Sequence, residues 1–137
     1  ADNANVRTAL VVSKEKAMIQ TSQLQVAFER EWIAARSARR AGNLDRAFHH
    51  LERAHILSQR LTLLHVKSHL GMWHIGWLRR DLRELVGQST RVVAALLFSR
   101  LWVPIGNTGG ANVSAFRPMP VPDDLRAILD AERSEIV

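Results

Sequence analysis

The chain contains no cysteine and no tyrosine. Without thiols there is no disulfide, no thiolate-held zinc or iron–sulfur cluster and no cysteine nucleophile. Any bound metal ion must therefore rest on His, Glu, Asp, Met or backbone oxygen. Long apolar runs are missing too. The longest, VVAALLF from Val92 to Phe98, falls far short of the roughly 20 residues that span a bilayer, so no membrane-spanning segment is expected. Strict apolar/polar alternation, the mark of a half-buried strand, is scarce. Proline and glycine are rare outside residues 103–122, which hold all four prolines and three of the seven glycines. These absences leave an all-α chain interrupted by one turn-rich loop.

What is present fits a globular helical protein. At 137 residues the chain is expected to form a single helical domain over 1–137, with 1–20 as an N-terminal extension and 103–122 as an ordered loop. Hydrophobic residues make up 47% and charged residues 23%, which suggests neither disorder nor a fibrous class. Lys plus Arg outnumber Asp plus Glu by 19 to 13, and the pI is 11.2. That balance raises nucleic acid or an acidic protein as partners. The arginines, however, are spread over several helices without aromatic interleaving or a recognisable nucleic-acid module, so a solvated basic surface is expected and nucleic acid is not. A cytoplasmic location is the expectation, and a homo-oligomer is left open.

The periodicity predicts an antiparallel bundle of four main helices and a short fifth. The first runs from Ser13 to Arg40, with Leu24, Ala27, Phe28, Ala34, Ala35 and Ala38 inward. The AGN triplet, Ala41 to Asn43, ends it with a glycine and caps the next with an asparagine. The second helix covers Leu44 to Ser58. A turn near Gln59 to Thr62 leads into the third, Leu63 to Arg79, with Val66, Leu70, Trp73 and Trp77 as an aromatic stripe. DLRE, Asp81 to Glu84, opens a fourth helix whose expected core face is Leu82, Leu85, Val86, Val92, Val93, Leu96 and Leu97. The last helix starts at Asp123 or Asp124. Ala47, Leu51 and Ala54 give the first two helices the look of one tetratricopeptide-type hairpin, but no second copy follows at the expected period of about 34 residues.

Five polar residues fall where leucines would be expected. Glu31 is central to the first helix's apolar arc, and His55 is central to the second's, with Glu52 at its edge. His65 and His69, four apart, share one face of the third helix. A carboxylate buried without a partner costs several kcal/mol, so Glu31 must be protonated, paired or bound to an ion. Two carboxylates and three imidazoles are the ligand vocabulary of non-haem iron, manganese or zinc, with copper less favoured. ERAH, Glu52 to His55, is one Glu-x-x-His unit of the type found in di-metal carboxylate bundles. The fourth helix offers no acid on its apolar face, so a mononuclear or asymmetric site is expected at Glu31, Glu52, His55, His65 and His69. The competing account is a buried polar network, with Glu31 paired to an arginine such as Arg53 or Arg91. Met72 is assigned to core filling.

The loop sequence GNTGGANVS, Gly106 to Ser114, lacks the Lys-Ser/Thr of a phosphate loop. It is expected to close one end of the bundle, with Asn107, Thr108 and Asn112 offering hydrogen bonds to a small molecule.

AFHHLERAHILSQ, HVKSH and VPIGNTGGANVSAFRPMPVPDDL together resemble a bacterial family designated domain of unknown function 3703, over about Phe28 to Leu129. The resemblance implies that Glu52, His55, His65, His69 and the GNTGG loop are shared family features. It implies no activity. The functional expectation is a metal-binding helical protein with a His/Glu site between its first three helices, open to redox or Lewis-acid chemistry. The alternative is a non-catalytic interaction module whose buried His/Glu network fixes helix register.

Overall fold

The computed structural model describes residues 2–99 and 101–134. Five helices occur among them: α1 (Asp2–Arg40), α2 (Leu44–Ser58), α3 (Thr62–Arg79), α4 (Leu82–Phe98) and α5 (Asp123–Arg133), with no strand. None is long and apolar enough to cross a membrane. The first helix begins at Asp2, well before the expected Ser13, so the N-terminal stretch continues α1. Its Val6, Leu10, Val11 and Val12 are exposed.

The connections from α1 through α4 are short because their residues stop helices locally. Gly42 adopts φ 77°, and the Asn43 amide donates to the Ala38 carbonyl at 2.9 Å, the wrap-around closure that a left-handed glycine permits. The Asn43 side chain then accepts from the Arg46 amide, starting α2. Arg80, left-handed at φ 58°, ends α3. The Asp81 carboxylate accepts from the Glu84 amide and starts α4. The turn after α2 lacks glycine and proline. There the Gln59 side chain donates to the Pro104 carbonyl and accepts from the Gly106 amide, tying the turn to the loop.

The helices pack in sequence order, α1 on α2, α2 on α3 and α3 on α4, with α5 laid across α1 and α2. One core joins α1, α2 and α3 through Ala35, Ala38, Ala47, Phe48, Leu51, Met72 and Ile75. A second joins α1, α2 and α5 through Leu24, Ile56, Leu57 and Leu125.

Two expected core faces are corrected by the packing. In α4, Leu82, Val86, Val93 and Leu97 are 75%, 66%, 56% and 64% exposed, and the buried residues are Glu84, Gln88 and Ala95. In α3, Leu70 and Trp77 are exposed, whereas His65, Ser68, His69, Met72, Ile75 and Gly76 are buried. The α3–α4 contact is thus made by polar and small side chains. An amphipathic wheel puts its apolar arc inward by default. Here that default yields to the polar partners the histidines need.

Candidate metal centre

His55 of α2 and His65 and His69 of α3 meet in the interior with their ligand atoms within 4.8 Å of one another. They are the one such group of three among the described residues. Nε2 of His65 lies 2.9 Å from Nε2 of His55 and 3.1 Å from Nε2 of His69.

Each ring's other nitrogen is held by an oxygen. Nδ1 of His55 is 2.8 Å from the Asn107 carbonyl, which can only accept, so that Nδ1 carries the proton. Nδ1 of His69 is 2.6 Å from Oε1 of Gln88. The orientation of that amide is set by its own NH2, which donates to Glu84 Oε1 at 2.6 Å and to the Gly109 carbonyl at 2.8 Å. Its oxygen therefore faces His69 and accepts. Nδ1 of His65 is 2.8 Å from Ser99 Oγ. The hydroxyl donates its single hydrogen to the Ala95 carbonyl, leaving its oxygen to accept from His65.

The consequence is chemical. With all three protons on Nδ1, three Nε2 lone pairs converge with no hydrogen between them, so the short Nε2···Nε2 approaches are not hydrogen bonds. An ion about 2.0–2.1 Å from each nitrogen would set tetrahedral ligands about 3.3–3.4 Å apart, slightly wider than the 2.9 and 3.1 Å that separate His65 Nε2 from its two neighbours. Binding an oxygen through the opposite nitrogen is also how metal-ligating imidazoles are fixed in tautomer and orientation.

Electrostatics favour the neutral rings. Burial pushes His55 well below the ordinary imidazole value, and His69 and His65 push the same way. Burial lowers His65 to about 4. His69 falls to about 3, chiefly through burial and then through His65, against the hydrogen bond to Gln88.

The loop completes the site. Gly109 sits at φ 82°, and a Cβ there would lie 2.8 Å from the His55 ring, so only glycine lets the loop lie on the histidine. The Asn107 side chain folds the loop itself, donating to the Ser114 and Arg117 carbonyls and accepting from the Gly109 amide. Thr108 hydrogen-bonds Glu52, and Asn112 is exposed. Among these three residues it is the backbone of Asn107 that reaches the histidines, not a side-chain amide offered to a ligand.

Both expected carboxylate ligands lie elsewhere. Glu31 accepts from Arg53 Nε at 2.8 Å through Oε1 and pairs with His50 Nδ1 at 2.7 Å through Oε2. Arg53 also binds Asp124 at the start of α5. Glu31 therefore ties α1 to α2 and, through Arg53, to α5. Of the two arginines expected to compete for it, Arg53 is its partner and Arg91 binds the loop instead. Glu52 lies 3.8 Å from His49, and burial raises its carboxyl against the hydrogen bond from Thr108. Met72 is fully buried in the core, with its sulfur 3.4 Å from the Gln88 amide.

Gln88, Ser99 and Gly109 were not legible as site residues from the histidines alone. A signal existed: Glu84, Gln88, Arg91, Ala95 and Ser99 follow helical spacing, a polar and small stripe in an otherwise apolar helix.

A cavity of about 360 Å³ opens onto the three histidines. Its walls include Ala94, Phe98, Val103 and Pro104, and its mouth carries Trp102 and Phe116, stacked at 6.2 Å. Arg91 stands at the histidine end, donating to the Gly109 and Val113 carbonyls. Burial lowers its affinity for its proton, partly offset by Glu84.

Residues 22–129 match a family described as "Protein of unknown function (DUF3703)". No curated protein and no solved structure matches the chain.

Proposed function

The chain belongs to the DUF3703 family of proteins of unknown function, and from that premise we propose that it is a metal-binding protein in which His55, His65 and His69 hold one divalent ion through Nε2. The observation that carries the proposal is the set of three fixed tautomers, which aims three lone pairs at one point and supplies no proton to relieve them. A network serving only helix register would place a donor between facing acceptors, because converging lone pairs repel. With both carboxylates engaged elsewhere, the set is all imidazole. This moves preference away from manganese and towards zinc, iron or copper. Three imidazoles with a further position open are a ligand set of catalytic zinc. Here that position would face the cavity, where a bound ion supplies Lewis acidity.

The test is elemental analysis of protein purified without chelator or nickel resin, beside a His55→Ala/His69→Ala variant checked for helicity by circular dichroism. About one equivalent of metal in the parent and none in a folded variant is the expected result. Metal-free parent protein that also refuses zinc, iron, manganese and copper on titration would refute it.

A further inference from the structure

The cavity beside the histidines is built for a particular kind of molecule, and the inference rests on the metal-binding proposal above. Three neutral imidazoles cancel none of a divalent ion's charge, and Arg91 adds another cation at the same end of the cavity. The nearest acid in the network, Glu84, is one residue removed from His69. Its oxygens are taken by the Gln88 side chain and the Ala111 amide. A buried, uncompensated positive centre is costly, and an anion entering from outside relieves it.

The rest of the cavity offers such an anion little polar company. Gln59 is spent on Pro104 and Gly106, Asn107 on its own loop, and Ser99 on His65 and Ala95. Phe98, Trp102 and Phe116 keep more than half of their surface exposed at or near the mouth. A ligand with polar groups along its length, such as a sugar or a nucleotide, would lose hydration there without finding partners. A ligand with a single anionic head and an apolar body would not.

We propose that the site binds a small monocarboxylic acid with an apolar, preferably aromatic, tail. The carboxylate occupies the open metal position on the Arg91 side, and the tail lies between Ala94, Phe98, Val103 and the Trp102–Phe116 pair. Its volume of about 360 Å³ is in the range of small-molecule pockets.

Cobalt(II) as the metal and phenylacetate as the probe test this directly. Cobalt binding is followed by equilibrium dialysis, and ligand entry by the visible d–d bands. Phenylacetate is expected to change those bands saturably, at least tenfold more tightly than acetate, which lacks the tail, or phenylacetamide, which lacks the charge. Ala94→Trp, which fills the cavity without touching a histidine, is expected to keep cobalt and the acetate response and to lose the phenylacetate advantage. Cobalt-loaded protein that ignores phenylacetate, or that binds acetate equally well, would overturn the ligand assignment alone. Failure to bind cobalt would overturn it together with the metal site.

Discussion

Glu31 and Gln88 show how a side chain's type and its role separate. A glutamate in an apolar arc signals that something must neutralise it, but helical spacing cannot say whether the neutraliser is an ion or an arginine. The structure supplies Arg53 and His50. Glu31→Gln is therefore expected to leave metal content unchanged while lowering stability by about 1–3 kcal/mol, because Arg53 and His50 lose a largely buried partner. Chemical denaturation combined with metal analysis reads both quantities, and loss of metal in a folded variant would restore Glu31 as a ligand. Gln88 is the converse case, one member of a polar stripe in the sequence and central in space. Gln88→Leu removes the acceptor for His69 Nδ1–H, and metal affinity is expected to fall about 10–100-fold, as for other outer partners of metal-bound imidazoles. A competition assay against a chelator of known affinity measures it, and unchanged affinity would contradict the tautomer argument.

The same residues set a pH dependence. The ordinary imidazole value is 6.5, while His65 is lowered to about 4 and His69 to about 3, with His55 also well below its ordinary value. As pH falls below 6.5 the unfolded chain takes up protons on these histidines that the folded chain refuses, so acid favours unfolding. The metal-free protein is expected to lose stability steadily from about pH 6.5 down to about 4, and the loss should be smaller in His55→Gln/His69→Gln. Urea midpoints across that range test it, and equal slopes in the two proteins would show that the three rings are not held neutral.

At the scale of elements, the starts of α2 and α4 were legible, while the start of α1 and the inward faces of α3 and α4 were not. α2 starts at Leu44 as its Asn43 cap dictates, and Asp81 caps α4. Caps are local chemistry, visible within a few residues. Which side of α4 turns inward is decided by α3, whose histidines require Gln88 and Ser99 opposite them. The apolar Leu82, Val86, Val93 and Leu97 are left outward. This inversion predicts two opposite substitution effects. Val93→Ser, on the exposed side, is expected to change stability by no more than about 0.5 kcal/mol. Ala95→Leu, at the buried α3–α4 contact, is expected to cost about 1–3 kcal/mol by overpacking. Thermal melts of the two variants decide between the faces, and the reverse order would mean that the apolar side is the core.

Over the whole molecule, three distant pieces of chain make one site: the middle of the bundle gives the imidazoles, α4 and its C-cap Ser99 give two of the oxygens that orient them, and the loop gives the third. The loop's role could be guessed from its glycines, but not its contact, since the Asn107 carbonyl belongs to the backbone and leaves no trace in residue type. The resemblance to the family carried the histidines and the loop as shared features without saying what joins them. Space joins them through His55, which donates to the Asn107 carbonyl on one side and faces His65 on the other. The measurement that tests this account most directly is X-ray absorption of the zinc-loaded protein at the metal edge. Three imidazole nitrogens at about 2.0–2.1 Å, with the multiple scattering of intact rings, are the predicted result. Zinc bound mainly by carboxylate oxygen, with one imidazole or none, would contradict it and place the ion outside the three histidines.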